Sequence, residues 1–180
     1  GRTYRKIWGS KRNRVYGKVL AGIEVTQVNI GFISLGCAKN RVDTEIMMAL
    51  LKKQGHKIVN SINRANLVII NTCGFINDAK EEAINTIIEV GELKEKGIVD
   101  FIIATGCLSQ RYGHELMEEM PELNAVIGIS DYHSITDVVE RVSNNEKIIL
   151  VNPPPSEFME KGSRILTTPP GSAYLKITEG

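Results

Sequence analysis

The sequence predicts an α/β fold: a three-layer domain with a mainly parallel sheet and flanking helices, flavodoxin-like in its layering. From residue 29 onward, short apolar runs typical of strands alternate with longer segments whose apolar residues recur at helical spacing. The run that begins at Leu67 is continuously apolar, as expected of a strand covered on both faces. The chain has 180 residues, 42% of them hydrophobic, which suffices for one domain with a substantial core.

The first half of this domain is predicted to hold three strands and two helices. In chain order we expect a strand at 30–35, a helix at 42–54, a short strand at 56–59, a strand at 67–71 and a helix at 78–93. Gly55 and Gly97 stand where the two helices should end. The second helix carries an apolar stripe for the core, and its acidic residues should face water.

The second half repeats the alternation. We expect a strand at 101–105, a helix at 112–120, a short strand at 125–129, a helix at 135–142 and a strand at 148–151. Pro121 ends the first of these helices, and either Asp131 or Ser134 could cap the second.

Changes in composition divide the chain into four parts. Residues 1–18 contain seven basic residues and no acidic one, which is typical of a basic arm or of an extension foreign to the native domain. We favour the extension, and place it at 1–26, because this stretch has neither the apolar run of a signal peptide nor helical periodicity. Residues 27–151 form the α/β domain, and the proline-rich segment 152–172 is linker chemistry. Residues 173–177 read as one more strand, and residues 173–180 as the start of a further, truncated domain.

The composition excludes several classes of protein. A formal net charge of +1 gives no electrostatic case for direct nucleic-acid binding. No apolar run approaches the roughly 20 residues that a membrane span requires. Three cysteines without a secretory signal argue against a disulfide framework and for a reducing, cytoplasmic compartment.

The three cysteines, Cys37, Cys73 and Cys107, each close an apolar, strand-like run. If these runs are neighbouring parallel strands, their carboxyl ends open onto one edge of the sheet, where α/β folds place ligands. Three thiols would then meet. Thiolates favour soft metals, so an iron-sulfur cluster, zinc or copper(I) becomes the leading interpretation.

A simpler interpretation is that each cysteine is a small buried hydrophobe. Against it, every cysteine has an adjacent glycine, which permits close approach of a bulky inorganic group. The cysteines are 36 and 34 residues apart, so the fold rather than a short loop must gather them. Three thiolates leave a tetrahedral metal one ligand short. His56, His114 and His133 could supply it, although none lies beside a cysteine in sequence.

Three motifs around the cysteines closely resemble a known family. They are Ser-Leu-Gly-Cys-Ala-Lys-Asn-Arg-Val-Asp-Thr-Glu at 34–45, Asn-Thr-Cys-Gly-Phe-Ile-Asn-Asp-Ala-Lys at 71–80 and Thr-Gly-Cys-Leu-Ser-Gln-Arg-Tyr at 105–112. The family is the radical S-adenosylmethionine methylthiotransferases, of which this chain resembles the N-terminal, UPF0004-type domain. The resemblance covers about residues 28–180.

The resemblance extends to one branch of the family. Residues 39–40, 74–76 and 111–112 match the branch that modifies a ribosomal protein, whereas the tRNA-modifying branch usually reads Gln-Met at 38–39. The likeness is to the RimO type, which adds a methylthio group to the β-carbon of an aspartate of small-subunit ribosomal protein S-twelve. This substrate protein and a radical S-adenosylmethionine domain in cis are the partners that the resemblance implies.

The resemblance also implies cofactors and site residues. Cys37, Cys73 and Cys107 would hold an auxiliary 4Fe-4S cluster with one iron free of protein ligands. A second 4Fe-4S cluster and S-adenosylmethionine belong to the following domain, whose cysteine motif this chain does not reach, so the fragment alone should be inactive. Asn40, Asn71, Thr72 and Arg111 are candidates to hydrogen-bond the cluster sulfurs, or are only turn and cap residues.

Three rival functions stay open at this point. The first is the same chemistry on tRNA adenosine. The second is a docking module that binds zinc and performs no catalysis. The third is a flavodoxin-like module whose cysteines belong to the core and bind no metal.

Overall fold

The computed structural model describes residues 16–20, 23–74, 76–153, 163–170 and 172–174, with side chains from residue 27 onward. Its strands are β1 (Tyr16–Leu20), β2 (Ile23–Gln27), β3 (Asn29–Ser34), β4 (Lys57–Val59), β5 (Leu67–Thr72), β6 (Phe101–Gly106), β7 (Ala125–Ile127) and β8 (Ile148–Leu150). Its helices are α1 (Ala38–Lys53), α2 (Asn77–Glu95), α3 (Cys107–Glu119) and α4 (Ile135–Ser143).

The central sheet contains six strands, all parallel, in the order β4-β3-β5-β6-β7-β8. After β3 the chain adds β4 on one side, then crosses to the other side and adds the remaining strands outward from β5. The direction of winding thus reverses between β3 and β5. Open α/β sheets of this kind bind ligands at such a reversal, outside the carboxyl ends of the strands. The predicted three-layer α/β class is confirmed.

The alternation of side chains along β5 explains its continuous apolar run. Leu67 and Ile69 face the core layer that contains α1 and α4, whereas Val68 and Ile70 face the layer that contains α2 and α3. All four side chains are fully buried. A strand covered by helices on both faces needs apolar residues at every position, and burial of each such side chain stabilises the fold by about 1.5–3 kcal/mol.

Two helices begin earlier than their apolar pattern predicts. Helix α1 begins at Ala38 rather than at residue 42, and α3 begins at Cys107 rather than at residue 112. The first turns of both helices are mostly polar, so they carry no apolar periodicity. Helix α3 also has a kink at Tyr112, whose φ of −129° is not helical. The pattern predicted only the part of α3 beyond this kink.

Ser134 occupies the N-cap position of α4, but no side-chain capping bond forms there or at Asp131. The Asp131 carboxylate instead accepts hydrogen bonds from the backbone and side chain of Asn152, at 2.8 and 2.6 Å. Its role is to fix the chain that leaves β8. Neither candidate cap therefore acts through its side chain.

The chain on either side of the α/β domain is described in part. Strands β1 and β2 form an antiparallel pair that lies in the predicted basic extension except for Gln27, and no strand was predicted there. Residues 172–174 are not in a strand, and the rest of the strand predicted near 173–177 lies outside the described residues. The four-part division of the chain stays a prediction. Among the described helices, none is both long and apolar enough to cross a membrane.

Candidate metal centre

The three cysteines lie at the carboxyl edge of the sheet, at and beside the reversal in strand order. Cys37 is the N-cap residue of α1, three residues after β3. Cys73 directly follows β5, and Cys107 directly follows β6 as the first residue of α3. Strands β3, β5 and β6 are hydrogen-bonded neighbours. Parallel pairing of these strands is what gathers residues that are far apart in sequence.

Close contacts connect the three thiols. The side-chain oxygen Oδ1 of Asn40 lies 4.0 Å from Sγ of Cys37 and 3.9 Å from Sγ of Cys107. The Cys73 side chain packs against Gly36: a Cβ atom at Gly36 would lie only 2.6 Å from Cβ and 2.9 Å from Sγ of Cys73. Gly36 also has a φ of +89°, a conformation that glycine adopts without strain. Glycine is therefore required for the loop before Cys37 to reach Cys73.

All three cysteines are free thiols, and none is fully buried. Cys37 is exposed, whereas Cys73 and Cys107 are half-buried. Burial raises the pKa of the Cys107 thiol; nearby Lys39 opposes this, and Cys73, Cys37 and Asp43 raise the pKa further. The mutual repulsion of three thiolates would be relieved by a cationic group bound among them.

The described residues contain no group of three Cys, His, Asp or Glu side chains that could hold a single metal ion as they stand. Zn–S bonds of about 2.3 Å would require the three sulfurs to lie within roughly 4 Å of one another. A donor set of three accessible thiols around a glycine-lined edge fits a larger thiophilic group, such as an iron-sulfur cluster.

Asn40 fixes the positions of two cysteine loops. Its Nδ2 donates hydrogen bonds to the carbonyl oxygens of Leu35, at 2.9 Å, and Thr72, at 3.0 Å. Leu35 precedes Cys37 by two residues, and Thr72 precedes Cys73 by one. Asn40 is 1% exposed, so these bonds are shielded from water. The side chain thus contacts the thiols through its oxygen and holds their backbones through its nitrogen.

Asn71 extends this network into α1. Its Nδ2 donates to the carbonyl oxygen of Asn40 at 2.7 Å and to the hydroxyl of Thr44 at 3.0 Å, and the Thr44 hydroxyl donates to Ser34 at 3.2 Å. The other Asn71 amide atom, Oδ1, is buried and accepts no hydrogen bond from the residues that the structure describes. It lies against Gly106, where a Cβ atom would come within 2.5 Å of it. Asn71 joins β5 to the first turns of α1.

Thr72 joins β5 to β6 in the same way. Its hydroxyl donates to the carbonyl oxygen of Thr105 at 2.6 Å and lies 3.5 Å from the hydroxyl of Ser109. Both hydroxyl-bearing neighbours are almost fully buried. This contact fixes the end of β6 directly before Cys107. Thr72 therefore sets the spacing between Cys73 and Cys107.

The remaining predicted site residues do not join this network. Arg111 is exposed on α3, one turn beyond Cys107. His114 and His133 are exposed, and His56 is buried beside β4, where its Nδ1 accepts a bond from the Val28 amide at 3.3 Å. The charged groups and thiols that act on Cys107 include no histidine.

Thr44 and Ser109 also belong to the network, although neither was predicted as a site residue. A signal was present for Thr44, because it follows Asn40 by four residues and so shares its helix face. Ser109 lies within the first turn of α3, which the apolar pattern did not reveal.

Comparison with known proteins finds relatives that match most of this chain. A ribosomal protein uS12 methylthiotransferase RimO of Syntrophomonas wolfei is 65% identical over 153 residues, which are 85% of this chain and 35% of that protein. Proteins of the same name from a Thermoanaerobacter species and from Clostridioides difficile are 52% and 44% identical, over 84% and 85% of this chain. The chain spans about a third of the length of these relatives.

A family model supplies the assignment. The model described as "Uncharacterized protein family UPF0004" matches residues 29–128, more than half of the chain. The match runs from β3 to the residue after β7 and includes all three cysteines. It confirms the family resemblance that the three cysteine motifs indicated. The chain belongs to the UPF0004 family.

Proposed function

We propose that this chain is the cluster-binding N-terminal domain of a methylthiotransferase. The observation that carries the proposal is the convergence of three free thiols at one sheet edge, two of them on a single side-chain oxygen of Asn40. The names of the relatives supply the reaction class. A cytoplasmic protein is the corresponding expectation for an enzyme that modifies a ribosomal protein.

In this proposal Cys37, Cys73 and Cys107 hold an auxiliary 4Fe-4S cluster. Bound by three thiolates, the cluster would keep one iron open for sulfur-transfer chemistry. The protein's own contribution is to hold the three thiols at fixed spacing through Asn40 and Thr72. Glycines 36 and 106 keep side-chain bulk away from the same edge.

The complete reaction also needs groups that residues 27–151 do not provide. We propose that a second 4Fe-4S cluster and S-adenosylmethionine are bound by a radical domain in cis, which residues 173–180 begin and the linker 152–172 connects. The 180-residue chain alone should then bind its cluster but perform no turnover.

The proposed substrate is an aspartate of small-subunit ribosomal protein S-twelve, as the relatives' names suggest. The test is to express the full-length gene product in cells that lack this modification and to analyse both candidate substrates by mass spectrometry. A methylthio group on the ribosomal protein supports the proposal. Methylthioadenosine in tRNA, with unmodified ribosomal protein, would assign the chain to the alternative function.

Metal identity separates the enzyme domain from a zinc-binding docking module. The chain is reduced anaerobically and offered iron with sulfide, or zinc, in parallel samples. The proposal predicts a broad visible charge-transfer absorption in the sample that receives iron and sulfide. Preferential zinc uptake without colour would favour the docking module, and no uptake of either would favour core cysteines.

A further inference from the structure

A segment beyond the α/β domain lies along α1 and is held there by one buried carboxylate. We call residues 163–170 and 172–174 the strap. The Glu45 side chain, 1% exposed, accepts hydrogen bonds at Oε1 from the backbone amide of Thr167 at 2.6 Å and from its hydroxyl at 2.8 Å. Its other oxygen, Oε2, lies 3.8 Å from the guanidinium of Arg164.

The described residues give the Glu45 carboxylate no hydrogen bond from its own helix. Its hydrogen-bond donors and its cationic partner belong to the strap, and the backbone oxygen of Glu45 also accepts from the Ile165 amide at 3.1 Å. A buried charge is costly unless it is paired and hydrogen-bonded. The strap therefore supplies both hydrogen bonds to Oε1 and the cation nearest to Oε2, which accepts no hydrogen bond among the described residues.

After Thr167 the strap turns. The Thr168 hydroxyl donates to the carbonyl oxygen of Ser172, and the Ser172 amide donates to the carbonyl oxygen of Pro169 at 3.1 Å. Two prolines in this turn, at 169 and 170, limit its backbone freedom. The turn brings Tyr174 to α1, where the guanidinium of Arg41 lies 5.7 Å from the centre of its ring.

The two contacts on α1 define a direction. Glu45 lies in the second turn of the helix, and Arg41 lies one turn closer to Cys37, whose carbonyl oxygen accepts a hydrogen bond from the Arg41 amide at 3.3 Å. The strap thus advances from Glu45 toward the N-terminus of α1. Its last described residue, Tyr174, contacts Arg41, which lies one helical turn from the first cysteine of the candidate metal centre.

We infer that Glu45 is a positioning residue that clamps the strap and delivers the chain at Tyr174 to the three-cysteine edge. The contacts of the strap do not depend on the proposed function; their purpose rests on it. A catalytic domain that follows residue 174 would start beside the cluster. A linker without this clamp would allow that domain many positions. Because the clamp restricts the linker beforehand, less conformational entropy is lost when the two domains act together.

The test uses hydrogen exchange and NMR on the metal-free 180-residue chain. Glu45→Ala should accelerate exchange of the Thr167 amide by about tenfold or more, because a charge-assisted bond is lost. The same variant should remove nuclear Overhauser contacts between the Tyr174 ring and Arg41. If Glu45 served only to stabilise α1, its replacement would leave the contact between Arg41 and Tyr174 unchanged.

Conservative variants give the control. Glu45→Gln keeps an acceptor at Oε1 and should retain both the slow exchange and the Tyr174–Arg41 contacts. Glu89→Ala removes an exposed acidic residue on α2 and should change neither. If Glu45→Ala leaves Thr167 exchange within about twofold of the parent chain, or leaves the Tyr174 contacts intact, the inference is wrong.

A second variant covers a failure of Glu45→Ala to fold. Thr167→Val removes only the hydroxyl donor from an exposed strap residue and should accelerate exchange of the Ile165 and Thr167 amides severalfold while leaving β5 and β6 amides protected. Unchanged exchange in Thr167→Val would also overturn the clamp. Since no iron is present, these results are independent of whether the proposed cluster forms.

Discussion

The side-chain amide of Asn40 donates a hydrogen bond to the carbonyl oxygen of Thr72 at 3.0 Å, across 32 residues of sequence. The bond joins the first turn of α1 to the end of β5, directly before Cys73. Because Asn40 also lies beside the thiols of Cys37 and Cys107, one side chain contacts or positions all three cysteines. The spacing of the candidate metal centre thus depends on a residue that need not bind the metal.

Replacement of Asn40 should therefore affect both stability and metal retention. Asn40→Ala removes the donors to the Leu35 and Thr72 carbonyl oxygens, both at a buried site. We expect the free energy of unfolding of the metal-free chain to fall by about 1–3 kcal/mol, measured by urea denaturation. The reconstituted cluster should also be lost faster in air.

Asn85→Ala is the matched control, because Asn85 is exposed on α2. It should change stability by less than about 0.5 kcal/mol. An Asn40→Ala protein as stable as this control, with a cluster of unchanged lifetime, would show that the network does not position the cysteines.

Gly106 should tolerate no side chain. Its φ is +99°, and a Cβ atom would meet Asn71 Oδ1 at 2.5 Å and the Thr72 carbonyl oxygen at even closer range. Backbone cannot give way as a flexible side chain can, so Gly106→Ala should cost about 3 kcal/mol or more in unfolding free energy. Thermal or urea unfolding of the purified variant measures this loss.

Gly97→Ala separates the two causes. Gly97 also has a positive φ, +69°, but an added Cβ would have no neighbour within 4 Å. It should cost only about 1 kcal/mol, the strain of the backbone conformation alone. Equal losses in the two variants would mean that crowding at the cysteine edge contributes nothing.

The buried His56 predicts a pH dependence of stability. Burial lowers the pKa of His56 from its ordinary value of 6.5, so the unfolded chain takes up this proton more readily than the folded one. The stability that neutral His56 contributes is complete above pH 6.5 and decreases as the pH falls from there toward the lowered pKa. The parent chain should therefore lose unfolding free energy between about pH 7 and 5 through this group.

His56→Asn retains an acceptor for the Val28 amide and cannot titrate in this range. As the pH falls, the parent should lose more unfolding free energy than His56→Asn loses. Asn85→Ala, which removes no titratable group from an exposed position of α2, should run parallel to the parent. If the unfolding free energies of the parent and of His56→Asn change equally from pH 7 to 5, the fold does not keep this histidine neutral.

Much of the fold follows from the sequence because the central strands are covered on both faces. Continuous apolar runs such as Leu67–Ile70 and Phe101–Ala104 are short and bounded by polar residues, so a buried strand is the structure that suits them best. The beginnings of α1 and α3 could not be placed in this way. Their first turns carry polar residues that belong to the cysteine edge, so they depart from the pattern of a core-facing helix.

The candidate site was predictable where chemistry marks it. Cys37, Cys73 and Cys107 stand out by residue type and by their place after strands. Asn40 was predicted to hydrogen-bond cluster sulfurs, which stays a prediction; that its nitrogen also bonds two backbone carbonyl oxygens could not be read from the sequence. Glu45 could not be assigned a partner at all, since Thr167 lies 122 residues away and only the fold brings them together.

The central claim is that three thiolates, and only these three, hold one iron-sulfur cluster. The most direct measurement is the iron and sulfide content of the chain after anaerobic reconstitution, compared with Cys37→Ala, Cys73→Ala and Cys107→Ala and with Glu89→Ala as control. The account predicts about four irons and four sulfides per chain in the parent and the control, with a large loss in each cysteine variant. Full iron content in any one cysteine variant, or no iron uptake by the parent, would contradict it.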